Sequence, residues 1–199
     1  TKDLTAYTRS GKKIRIMANP YLTEENLTFT VECDDPYWAR LQSIRCKWYL
    51  AFGRYSDTQD SWKYKMKASH TREAVAIALN MAYMFSSERF KTALYEFGPL
   101  HSNNDKTEID KTALLANVLN HRGLTFGYTT GVMGLGGGTT FGMHEVCYLE
   151  HYADDKSITE TIFHEFAHCV GYGHAGNMTY EQTGPGWITL CNTVYAVSY

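Results

Sequence analysis

Between residues 164 and 174 the chain reads His-Glu-Phe-Ala-His-Cys-Val-Gly-Tyr-Gly-His. On a helix, His164 and His168 lie four residues apart and about 40° round the axis, so both imidazoles leave one face. Two imidazoles so placed can share a metal ion. Glu165 is rotated by about 100° from His164. It therefore flanks the ion, where it can hold a water and take its proton, rather than joining as a ligand. A third ligand requires the helix to stop and the chain to turn back. Gly171 supplies that turn, because glycine tolerates left-handed backbone angles. His174 then completes a three-histidine set. Three protein ligands and one open position are the pattern of a catalytic zinc site, so Zn2+ is the expected cofactor.

The elements that must carry these residues can be read around them. Ser157 followed by Glu160 forms a capping-box pattern, and the zinc-binding helix is expected from Ile158 to about Val170. Upstream, Ala74–Phe85 has helical spacing and good helix formers, and this helix is expected to run to Phe90 or beyond. Gly98-Pro99 stops it. A further helix is expected over Ile109–Asn120 with Gly123 as its C-cap glycine. Lys13–Ala18, Leu27–Glu32, Lys47–Phe52, Trp62–Met66 and Leu124–Tyr128 read as strands. Pro36, capped by Asp34 or Asp35, suits the start of a helix. Thr139–Tyr152 reads as a strand pair or one long strand, and Trp187–Tyr195 as a short terminal helix. The expected class is therefore α+β: a mixed, twisted sheet with long backing helices. Residues 1–68 form a β-rich region, either strands of the same sheet or a small module. Residues 69–199 form the catalytic region, with a small C-terminal part from about residue 171.

The spacing HExxHxxGxxH followed by a methionine resembles the metzincin clan of zinc metallopeptidases, residue by residue at His164, Glu165, His168, Gly171 and His174. Met178, in Gly-Asn-Met-Thr-Tyr, looks like the clan's Met-turn, a hydrophobic floor beneath the metal. Tyr180 lies at the offset where some clan members place a tyrosine that steadies the transition state, and a phenol suits donation to an oxyanion. The residue after the third histidine is Ala175, so the chain does not look like an astacin, adamalysin, matrixin or serralysin. The resemblance covers residues 157–180, one-eighth of the chain. It implies a secreted or cell-surface location. It also implies an edge strand before the zinc helix that receives an extended peptide, here Gly136–Met143. Gly137, Gly138, Thr139 and Thr140 are the expected substrate contacts, and Gly184–Trp187 the expected pocket wall.

The expected reaction is hydrolysis of internal peptide bonds in a protein or peptide substrate, with Glu165 as general base. The alternative is a catalytically silent zinc-containing binding or adhesion module, and the retained Glu165 speaks against it. Nineteen Lys+Arg against 21 Asp+Glu give a net charge of -2. That argues against a nucleic-acid partner. No apolar run reaches the roughly 18–20 residues that span a bilayer. The glycine run at 131–138 lacks the Lys-Ser/Thr ending of a phosphate-binding loop. The five cysteines show no CxxC spacing, and Cys33–Cys46 is the one pairing that spacing suggests. Cys169 is expected to be a small buried residue, and His144 and His151 ordinary packing or surface residues.

Overall fold

The computed structural model describes residues 32–53, 66–151 and 156–195. The chain divides into compact units at residues 1–34 and 35–199, and the second carries every element below. The expected strands at Lys13–Ala18 and Leu27–Glu32, and most of that at Trp62–Met66, lie outside the described residues.

Helix α1 (Pro36–Ser43) begins with Pro36, and the Asp35 carboxylate accepts the Tyr37 N–H as its cap. Strand β1 (Tyr49–Phe52) follows. The long helical stretch expected from residue 74 is two helices, α2 (Ala68–Ser86) and α3 (Glu88–Glu96). Ser87 separates them. Its hydroxyl donates to the Met84 carbonyl and accepts the Phe90 N–H, so one side chain closes one helix and caps the next. Helix α4 (Lys111–Leu119) is capped by Asp110, whose carboxylate accepts from Thr112 and Ala113.

Gly123 is not the cap of α4; it is the first residue of β2 (Gly123–Thr129). There its φ is 154°, and a Cβ would collide with the Tyr49 carbonyl of the neighbouring strand. Strand β3 (Gly134–Gly137) and strand β4 (Thr140–His144) form a hairpin. The second half of the strand expected over 139–152 is instead a short helix, α5 (Glu145–Glu150). The His144 ring accepts the Val146 N–H at its start. Apolar and polar residues from 145 to 150 are too few to distinguish the two periods, so the cap decides.

The sheet is open and mixed, in the order β1-β2-β4-β3. β1, β2 and β4 are parallel, and β3 runs antiparallel to β4 as the edge strand. β1 thus places residues 49–52 in the same sheet as the later strands. Phe126 and Phe141 are register partners on β2 and β4, both fully buried, with rings edge-on at 5.2 Å.

Helix α6 (Lys156–Cys169) carries the expected ligands, and Ser157 is its second residue rather than its cap. Its apolar side holds Ile158, Ile162, Phe163, Phe166 and Ala167, each at most 2% exposed. Phe166 stacks on Phe85 of α2 at 5.1 Å. Phe85 in turn stacks at 5.6 Å on Trp187, the first residue of α7 (Trp187–Tyr195). The Trp187 indole N–H donates to the Phe163 carbonyl at 3.2 Å. Burying each such ring contributes on the order of 2–3 kcal/mol. This aromatic stack fixes the rotation of α6, so its histidine face points away from the core. Among the described residues no helix is long and apolar enough to cross a membrane.

Candidate metal centre

Helix α6 ends where Gly171, at φ 101°, reverses the chain. The Gly171 N–H bonds the His168 carbonyl at 3.1 Å, and the Tyr172 N–H bonds the Ala167 carbonyl at 3.0 Å. This glycine turn satisfies the last carbonyls of the helix and returns the chain toward the histidine face. His174 then meets His164 and His168. His168 Nε2 lies 3.1 Å from His164 Nε2 and 3.0 Å from His174 Nε2. Ligand atoms of all three fall within 4.8 Å of one another.

The tautomers follow from what lies behind the rings. His168 Nδ1 is 2.6 Å from the Tyr172 carbonyl and must donate to it. The His164 ring donates to the Thr179 carbonyl. The facing Nε2 atoms of His164 and His168 therefore carry lone pairs. Neutral imidazoles cannot satisfy one another that way, whereas a metal cation accepts them. Burial, reinforced by the neighbouring imidazoles, pushes His164 down to about 4 against the pull of the Thr179 carbonyl. His168 is lowered by burial and by His174. Neutral imidazole is the form that binds metal. The donor set thus fits a divalent metal ion.

Glu165 leaves α6 on the side of β3. It is 6% exposed, and burial pushes its carboxyl up to about 7, moderated by a hydrogen bond from the Gly136 backbone. Strand β3 crosses α6 too closely for side chains at two positions. A Cβ at Gly134 would collide with the Glu165 carboxylate, and one at Gly136 with the Glu165 carbonyl. These two glycines, two residues apart on one strand face, bring the edge strand to the site.

Met178 is fully buried in the turn after His174. Its neighbour Asn177 pins that turn. The Asn177 side chain accepts the His101 N–H at 2.6 Å and donates to the Pro99 and Pro185 carbonyls, both at 3.0 Å. The Thr179 hydroxyl donates to the Gly173 carbonyl. Tyr180 is 61% exposed, with its ring centroid 4.7 Å from those of both His164 and His174. It lines a cleft of about 960 Å³ that also holds the three histidines and Glu165.

None of the four expected substrate contacts lines the cleft. Gly137 ends β3, Gly138 and Thr139 form the turn, and Thr140 begins the interior strand β4. The cleft is lined instead by Val132–Gly136, because the hairpin splits what reads as one strand. Gly184–Trp187 also does not form its wall: Pro185 and Gly186 hold Asn177, Trp187 is core, and Ile188, Thr189 and Asn192 line the cleft. Asn177 and the 99–101 loop carry no motif, so no sequence signal reveals them. The alternation of Gly134 and Gly136 is a signal that does. Cys169 is buried and its thiol donates to the Thr140 carbonyl, while Cys33 and Cys46 are both free thiols. Among the described residues no second group of three metal-ligating side chains occurs.

The fold and site define an α+β protein with a three-histidine group that could hold a metal ion, in an open cleft. Compared with known proteins, the chain matches no family model, no curated protein and no solved structure.

Proposed function

We propose that this protein is a zinc-dependent metalloendopeptidase of the metzincin kind, hydrolysing peptide bonds within extended polypeptides outside the cell. One observation carries the reading. Three imidazoles converge through Nε2 beside a buried carboxylate that serves none of them as a partner, at the floor of an open cleft. A binding module needs the histidines but has no use for Glu165.

His164, His168 and His174 would hold the zinc ion, which when bound would supply Lewis-acid polarisation of a water and of the scissile carbonyl. The Glu165 carboxylate takes the proton of the attacking water and passes it to the leaving amine. Its burial raises its basicity toward the range such a shuttle requires. The exposed Tyr180 phenol, beside two of the ligands, donates to the oxyanion. The β3 edge offers backbone groups to an extended chain, which places an internal bond over the site instead of a terminus.

A mixed peptide library is incubated with wild type and with Glu165→Ala, and zinc is determined in both. The expected result is about one zinc in each and cleavage by the wild type alone. Zinc in both with cleavage in neither would overturn the peptidase reading in favour of a binding module. Zinc in neither would overturn the metal assignment.

A further inference from the structure

The cleft does not end at the histidines. It continues toward the N-terminal end of α6 along the same helix face, past Thr161 and Glu160 to Ser157. Glu160 is four residues, hence about 6 Å of helix rise, from His164. The facing wall is α7, through Ile188 and Asn192, one turn apart.

The polar groups of this extension mostly accept. The Thr161 hydroxyl already donates to the Ser157 carbonyl, leaving its lone pairs. Asn192 Oδ1 is buried with no hydrogen-bond partner. Among the described residues, the charged side chains lining the cleft, histidines aside, are Glu160, Glu165 and Glu181, with no Lys or Arg. Two of these three are already committed. Glu165 faces the metal site. Glu181 turns its carboxylate onto the first turn of α7, accepting from the Gly186 N–H at 2.9 Å, the Thr189 N–H at 2.8 Å and the Thr189 hydroxyl at 2.9 Å. Glu160 is exposed and makes no ion pair among the described residues.

Resting on the peptidase reading, we infer that this extension is a subsite for a basic side chain, arginine or lysine, with Glu160 as the specificity-determining charge. The aliphatic stem lies against Ile188. The cationic head donates to the Glu160 carboxylate. An acidic side chain there meets an uncompensated carboxylate, and an apolar one covers the Glu160 carboxylate without offering it a donor.

The test reads binding separately from cleavage. Peptides of one sequence carry Arg, Met or Glu at a single position, which is moved along the peptide. Affinity for zinc-loaded Glu165→Gln protein is measured by fluorescence anisotropy. At one position the Arg peptide is expected to bind about fivefold or more tightly than the Met peptide, and the Glu peptide most weakly. Adding Glu160→Gln should collapse the gap, and Glu160→Lys should reverse the order. No discrimination at any position, or a gap that survives Glu160→Gln, would overturn the subsite. Cleavage by the wild type is then followed on the same peptides. Peptides bound with Arg preference but never cut sink the peptidase reading and leave the subsite. Peptides cut with no preference for Arg sink the subsite alone.

Discussion

His70 and His151 are buried as deeply as any histidine described here, at 2% and 1% exposure, yet each faces an anion. His70 Nε2 lies 3.1 Å from Glu145 Oε1, which also takes the Lys67 ammonium at 2.8 Å. His151 Nε2 lies 3.0 Å from Glu73 Oε2. On α6 the same residue types meet differently. There the Nε2 atoms face one another, and the nearby carboxylate is aimed at the cleft. The region around α2 and α5 pairs the Nε2 atom of each of its histidines with a glutamate carboxylate. The region around α6 leaves convergent lone pairs that an added cation must satisfy. Buried histidine beside glutamate is therefore no mark of a metal site. The mark is that the Nε2 atoms of three rings face one another instead of each facing a carboxylate.

The largest expected effect separates the two regions outright. His168→Ala should abolish stoichiometric zinc binding and with it all cleavage. His151→Ala should leave zinc content unchanged and instead cost about 1–3 kcal/mol of stability, read by denaturant unfolding. Zinc retained by the first variant, or lost from the second, would break the comparison.

Glu165→Gln sharpens it next. The zinc content should hold while kcat falls by about 10²–10⁴. The metal-free variant should also be more stable than wild type. Glu165 is raised from 4.5 to about 7 by burial, so its charge opposes folding once the pH exceeds the unfolded value. The stability gain of the variant should open as pH rises from 4.5 and level off above about 7. Thermal unfolding of the metal-free pair across that range checks the sign. A gain largest in acid would be the wrong one.

Gly136→Ala tests the strand that presses on Glu165. A methyl group there meets the Glu165 carbonyl, so β3 must move off the helix. Cleavage should fall by about tenfold or more with zinc retained, since a misplaced positioning group costs rate steeply. The smallest effect is expected for Tyr180→Phe, a loss of about tenfold in kcat with KM little changed. An equal rise in KM with kcat unchanged would make Tyr180 a substrate contact and not an oxyanion donor.

The convergence of the three histidines was legible because they lie within eleven residues on one helix and one glycine turn. Periodicity and a single left-handed residue govern that span, and both are local properties of the chain. The class of fold was legible for the same reason. The α1 start at Pro36 and the α7 helix at Trp187–Tyr195 also follow from local signals. Ser87 was not legible as a break, because a serine in a helix is ordinary unless its hydroxyl is seen to bond both helices. The hairpin was hidden because glycine-rich strands carry little pattern, so residues 136–143 read as one edge strand and 137–140 were expected at the cleft that 132–136 line.

By itself, the sequence determined which atoms can bind a metal and which carboxylate stands beside them, since both follow from spacing on one helix. Only the tertiary structure decided that those atoms converge with their lone pairs free. That outcome depends on carbonyls of residues 172 and 179 behind the rings, and on Asn177 tying the returning turn to residues 99–101. The Asn177 contacts join segments more than seventy residues apart. Their strength comes from burial in a packed core, which no local spacing encodes.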